Sequence, residues 1–231
     1  MASQHFSLAN SIYFVGRSLS RLYTKFELSK QIYKKQALPR GPKIFAVNHP
    51  STLDPLYVMS VIKSPVHALL IEDVFKIRIL RQLITWGGHI KVEAKNGQLA
   101  LHQAVNLLKN KRSILIFPEG QVSHDSHKLN TIKTGVVRMA LATGAPIIPI
   151  GITLDPSKIK RSLITIKGHT TEFVWYRRGA YQINYGECIY LTGSQTDRSL
   201  VKTLSCRVQQ LIQALLNQQP ATAKLPIANQ L

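Results

Sequence analysis

Three short apolar runs constrain the fold most: Ile44-Phe45-Ala46-Val47, Ile114-Leu115-Ile116-Phe117 and Ile147-Ile148-Pro149-Ile150. Each is bounded by turn residues and lacks the alternation of a half-exposed strand, so each predicts a strand covered on both faces. Helical patterns stand between them. The spacing predicts helices over residues 54–61, 75–84, 97–109 and 131–143, the last closed by Gly144, and further strands over 66–71 and 90–92. Strands that alternate with helices predict an α/β single domain with a mainly parallel central sheet flanked by helices. Ligands of such sheets bind beyond the carboxyl ends of the strands.

The flanks differ in character. From His5 to about Lys30, Phe6, Ala9, Ile12, Tyr13, Leu19, Leu22, Tyr23 and Phe26 recur at threes and fours, with Arg17, Arg21 and Lys25 four apart. That is an amphipathic helix, fit either to dip into a lipid interface or to pack on the domain's own core. Residues 1–38 form this N-terminal unit. Residues 39–219 form the main domain, with a β-rich C-terminal part (163–166, 173–176, 181–190) and a closing helix over 197–217. A flexible tail is expected over 220–231.

Thirty basic residues stand against eleven acidic ones, a net charge of +19. Such a charge raises encounter rates with polyanions: nucleic acid, anionic headgroups or a phosphorylated ligand. Cys188 and Cys206 form no metal-ligand or redox spacing and predict isolated thiols. No charged n-region of a signal peptide is evident at the start. The best transmembrane candidate, 136–154, holds Arg138, Gly144, Pro146, Pro149 and Gly151, so a helix, a turn and a buried strand are expected there instead.

In so acid-poor a chain, carboxylates that follow strand ends stand out. Asn48-His49-Pro50-Ser51-Thr52-Leu53-Asp54 comes directly after the first apolar run, and Phe117-Pro118-Glu119-Gly120 ends the second. A histidine that takes a proton from a hydroxyl needs its other ring nitrogen held by an acceptor, and Asp54 is placed to do so. The same pair is equally a capped turn, with Asp54 at a helix start. Ser51 has no Gly-x-Ser-x-Gly context and the cysteines are remote in sequence. Without a covalent step, the base would activate a hydroxyl or water against an ester or thioester carbonyl.

Asn48-His49 with Asp54, followed by Phe117-Pro118-Glu119-Gly120, resembles the glycerolipid acyltransferases typified by 1-acylglycerol-3-phosphate acyltransferase. Gly88-His89-Ile90-Lys91-Val92 and Ala145-Pro146-Ile147-Ile148-Pro149-Ile150 fall where that family has its second and fourth blocks. The resemblance covers about residues 40–155. It implies acyl transfer in phospholipid biosynthesis, from a coenzyme A or acyl-carrier-protein thioester to a hydroxyl of a lysophospholipid or another lipid acceptor. His49 would be the general base and Asp54 its orienting partner. Asn48, Ser51, Lys91, Pro118, Glu119 and Gly120 would contribute to substrate binding. No metal and no cofactor beyond the thioester donor is implied. The expected setting is peripheral, on the cytoplasmic face of an anionic membrane.

Two departures bear on the acceptor. The family usually has Thr-Arg after the Glu-Gly pair, where this chain has Gln121-Val122, and an arginine at the end of the second block, where it has Glu93-Ala94. Those arginines are expected to hold the acceptor's phosphate. Here Lys91, Lys95, Lys128 or Lys133 would substitute, or else the acceptor is not a phosphoglycerol. A hydrolase using the same pair on water is an alternative. A nucleic-acid-binding protein is a more distant one: Phe173-Val174-Trp175-Tyr176-Arg177-Arg178 could stack bases, but no zinc-finger or RNA-recognition signature accompanies it, so no nucleic-acid partner is expected.

Overall fold

The computed structural model describes residues 2–34, 36–76, 78–94, 96–123, 125, 127–166 and 169–218. In chain order its elements are α1 (Ala2–Glu27), β1 (Leu28–Lys34), β2 (Ile44–Val47), α2 (Asp54–Val61), β3 (Val66–Ile71), α3 (Glu72–Phe75) and α4 (Arg78–Trp86). These are followed by β4 (Ile90–Val92), α5 (Gly97–Lys109), β5 (Ser113–Ile116), α6 (Gly135–Thr143) and β6 (Ile147–Leu154). The chain then forms β7 (Ile159–Ile166), β8 (His169–Tyr176), β9 (Gly179–Tyr185) and α7 (Arg198–Leu216).

Seven strands form one sheet in the order β1-β9-β6-β2-β5-β3-β4, and the three apolar runs are its neighbouring centre, β6, β2 and β5. All pairings are parallel except β6 with β9. Every residue of β2 and β5 is buried, which is why their sequences show no alternation. Along β2 the side chains still alternate between two cores. Ile44 and Ala46 join residues of α5, α6 and α7 on one face. Phe45 and Val47 join Tyr13 of α1, Tyr57, Val58 and Ile62, and the tyrosines Tyr176 and Tyr181 on the other.

The β7–β8 hairpin is a separate two-stranded sheet, and its buried base packs into this second core through Tyr176. Helix α1 lies beside α2 on the same side, where Tyr13 Oη donates to Ser64 O (3.0 Å) and Arg21 Nε to Ser60 O (2.8 Å). Its polarity runs opposite to that of an ordinary surface helix. Ser20 and Thr24 face inward and are buried, while Leu19 (62% exposed), Leu22 and Phe26 (79%) face outward.

Several boundaries differ from the sequence expectation. β1 falls inside the 1–38 segment read as the N-terminal helical unit, yet it pairs in parallel with β9 from Leu28↔Gly179 to Lys34↔Tyr185. As an edge strand with Ser29, Lys30 and Gln31 in its first half, it shows neither a continuous apolar run nor a clean period of two. The helix expected over 75–84 is two helices, α3 and α4. The one expected from Thr131 starts only at Gly135, because Lys133 N donates to Pro118 O (2.7 Å) and draws residues 131–134 into a loop. The strand expected over 181–190 ends at Tyr185, and Ile189 bridges separately to Ile147. The tail expected over 220–231 lies outside the described residues, as do Lys95 and Lys167.

Candidate active site

β2 and β5 run in parallel side by side, so the loops that leave their carboxyl ends meet. His49 comes from the first loop. Its Nδ1 lies 3.0 Å from Asp54 Oδ2, and that same carboxylate oxygen accepts the Ser51 N–H (2.7 Å). Asp54 is the first residue of α2 and is fully buried, but its side chain does not cap the helix. Instead, its other oxygen accepts a hydrogen bond from Tyr181 Oη on β9 (2.6 Å). A carboxylate that only accepts fixes the proton on His49 Nδ1, which leaves Nε2 with its lone pair. The imidazole stacks on Phe117 (centroids 4.3 Å apart, 29° between planes) and keeps 15% of its surface exposed, so solvent and substrate can reach it.

Glu119 joins the two loops. Its Oε1 accepts the His49 N–H and its Oε2 the Asn130 N–H, each at 2.9 Å. The carboxylate is almost fully buried, and burial pushes its pKa upward against the lowering pull of those two amides. The sequence suggests an open turn tip ready to accept from a polyol. The structure gives an internal strut instead. Ser123 N–H completes the clasp by donating to His49 O (2.7 Å). Gly120 sits at φ +74°, and a Cβ there would meet the Lys133 side chain at 2.5–3.2 Å, so the lysine lies directly over the Glu119 turn.

Two further expected ligands are used up by the fold. Asn48 exchanges both amide groups with the backbone of Ile152 (Nδ2 to O 2.9 Å, Ile152 N to Oδ1 2.6 Å), which ties β2's exit to β6. Ser51 Oγ is buried and donates to Val174 O (3.1 Å), so its hydroxyl proton is committed to the fold. Pro118 contributes its carbonyl to the Lys133 amide. Lys91 lies on β4, three strands from β2 and so roughly 14 Å across the sheet, and its ammonium pairs with Glu93 (2.6 Å).

Two residues of the assembly are not among the sequence-predicted site residues. Tyr181 is 127 positions from Asp54, and only the β6–β9 pairing brings it there. Arg161, on the hairpin, donates from one terminal nitrogen to Ser123 O (3.0 Å) and from the other to Glu172 (2.9 Å). Of the cations expected near the turn, Lys133 is therefore in place, and Arg161 reaches the same loop from the other side.

Comparison with known proteins bears on the family and the fold. A family model described as Acyltransferase matches residues 29–153, from β1 to β6. The 1-acyl-sn-glycerol-3-phosphate acyltransferase of Limnanthes douglasii is 32% identical over 48% of this chain and 40% of its own length. The Escherichia coli enzyme of the same name is 29% identical over 62% of this chain and 60% of its own. The matched part thus spans roughly half the length of these relatives. In three dimensions the chain resembles the crystal structure of the 1-acyl-sn-glycerophosphate (LPA) acyltransferase PlsC from Thermotoga maritima. That likeness has a TM-score of 0.65 and 19% identity, over 95% of this chain and 84% of the other, and it speaks for the fold. The family match runs from β1 to the end of β6 and takes in His49, Asp54, Glu119 and Gly120, so the chain belongs to the acyltransferase family.

Proposed function

We propose that the protein transfers a fatty acyl chain from a coenzyme A or acyl-carrier-protein thioester to a hydroxyl of a lysophospholipid, with 1-acylglycerol 3-phosphate as the acceptor type. The single observation that carries this reading is the partly exposed His49 imidazole, whose Nδ1 is held by buried Asp54 so that Nε2 is left to act as base. In that role Nε2 takes the hydroxyl proton as the alcohol oxygen attacks the thioester carbon. The carbon–sulfur bond then breaks, and the proton passes from the imidazolium to the departing thiolate. No enzyme-bound acyl group is needed, in keeping with the hydrogen bond that occupies Ser51 Oγ. General-base assistance of this kind contributes about 10²–10⁴ in rate.

Lys133 and Arg161 flank the Glu119 loop where the resemblance leads one to expect an arginine, and both would serve an anionic headgroup. Among the described residues no helix is long and apolar enough to cross a membrane. The outward apolar stripe of α1 (Val15, Leu19, Leu22, Phe26) instead fits a helix lying in one leaflet, which would hold the protein at the cytoplasmic face of a bilayer.

The deciding experiment supplies a labelled acyl thioester with a total lipid extract and asks which lipid gains label. Label in a diacyl phospholipid, absent with His49→Ala, is expected. Label released only as free fatty acid would replace the transferase reading with a hydrolase.

A further inference from the structure

The β7–β8 hairpin lies outside the family-matched residues and projects beyond the seven-stranded sheet, and its base is bonded to both loops of the site. Thr52 N–H donates to Val174 O (3.0 Å), Val174 N–H to Thr52 Oγ1 (2.9 Å), and Arg161 to Ser123 O. The outer face of the hairpin is unusual. Register pairs Lys160 with Trp175 and Ser162 with Phe173 on one side of the ribbon, and the Phe173 and Trp175 rings pack at 4.1 Å. Trp175 is 37% exposed, and Lys160 and Ser162 beside these rings are exposed as well. From Lys158 to Arg178 the sequence holds six lysines and arginines against one acid, Glu172.

We propose that this outer face is a second membrane contact, which seats on the anionic headgroup layer beside α1 and sets the mouth of the site at that depth. The proposal rests on the lipid-acceptor reading above. Tryptophan and phenylalanine with basic neighbours suit the interfacial layer, where rings enter the acyl boundary and cations stay with the headgroups. Lysines and arginines close to an anionic leaflet each strengthen partitioning roughly fivefold. Position favours the same partner. Helix α2 touches the hairpin through Tyr57, whose Oη donates to Tyr176 O (3.4 Å), and α1 one turn later, where Ser60 O accepts from Arg21. Hairpin and apolar α1 stripe therefore share one side of the sheet. An acidic carrier protein would be drawn by the same charge, but it gives no reason for Trp175 and the α1 stripe to stand in water.

The chain has two tryptophans, Trp86 and Trp175, so Trp86→Phe leaves Trp175 as the sole reporter. On vesicles of phosphatidylcholine with phosphatidylglycerol, its emission should shift to the blue and be quenched by lipids brominated high in the acyl chain. Adding Lys160→Glu and Ser162→Glu, both on this face, should weaken vesicle partitioning about tenfold or more. Those changes should also slow turnover of a vesicle-borne lysolipid while sparing that of a short-chain soluble acceptor. A vesicle-bound chain whose Trp175 emission is neither shifted nor quenched overturns the proposal. So does a variant with unchanged partitioning that has lost only the use of an acyl-carrier-protein thioester, because that assigns the face to the carrier. Absent turnover of every acceptor by the unmodified chain would count against acyl transfer itself, while Trp175 continued to report docking.

Discussion

Tyr181 Oη donates a 2.6 Å hydrogen bond to Asp54 Oδ1, on the far side of the carboxylate from His49. The phenol is fully buried, and that burial, reinforced by the neighbouring carboxylate, holds its pKa well above the ordinary tyrosine value, so it remains a donor throughout the working range. With Ser51 N–H on Oδ2, the carboxylate is held from both sides and its orientation toward His49 is fixed. Tyr181→Phe removes only this donor. It should lower kcat about tenfold while leaving KM for the thioester nearly unchanged, because Tyr181 reaches no surface that a substrate touches. It should also cost about 1–3 kcal/mol of stability for the carboxylate oxygen left unpaired. A matching rise in KM would indicate a general collapse of the loop instead.

His49→Ala and Asp54→Asn should each reduce transfer by about 10²–10⁴. Their structural consequences should differ. His49→Ala removes one donor and the stack on Phe117 but leaves Asp54 Oδ2 with the Ser51 N–H, so it should cost less stability than Asp54→Asn, which sets an amide nitrogen against one of three donors in a buried pocket. Thermal melts alongside single-turnover rates separate the two. Substantial transfer by the His49 variant would remove the imidazole from the mechanism.

The apolar runs were legible because strands covered on both faces write their burial directly into sequence, and the loops after them carried His49, Asp54 and Glu119. What those loops do with their side chains was less legible. Asn48 and Ser51 have the composition of ligands but spend their polar groups on Ile152 and Val174, partners more than 100 positions away. Glu119 looked like an open acceptor until His49 N and Asn130 N were seen to occupy both oxygens. Tyr181 and Arg161 carry no local signal at all, since long-range strand pairing and the hairpin alone bring them to the site. The same holds for β1, whose polar edge is paired only through β9.

The amides on Glu119 lead to a prediction about the strut. A glutamine at this position presents an NH₂ group to one of two backbone N–H donors and leaves that donor unpaired in a buried site. Glu119→Gln should therefore lower kcat about tenfold or more and loosen the 119–130 loop, which should appear as faster hydrogen exchange at His49 and Asn130. If Glu119 were instead an acceptor ligand, the same change would raise KM for the lysolipid and leave exchange unaltered.

Lys133→Met keeps the aliphatic stem over Gly120 and deletes the charge. If the ammonium holds the acceptor's phosphate, KM for 1-acylglycerol 3-phosphate should rise about tenfold, the loss expected for one charged hydrogen bond. An uncharged monoacylglycerol should be used as before. Equal effects on both acceptors would assign Lys133 to the turn alone.

Directly before β4, three strands from the site, His89 gives the fold a defined acid sensitivity. Its Nδ1 accepts the Ala68 N–H (3.0 Å), a bond that needs the neutral ring. Burial, with His67 beside it, lowers its pKa from 6.5 to about 4. An unfolded chain takes up this proton near pH 6.5, so between 6.5 and about 4 the unfolded state holds the extra proton and is favoured as pH falls. The contribution is complete above pH 6.5 and amounts to roughly 3 kcal/mol, lost by about pH 4. His67, also lowered by burial, acts in the same direction. Glu119, its pKa raised by burial, acts in the opposite one. Urea midpoints measured from pH 7.5 to 4 should fall steeply for the unmodified chain and less steeply for His89→Gln, in which the ring no longer titrates. Parallel curves for the two proteins would show that His89 is not the group responsible.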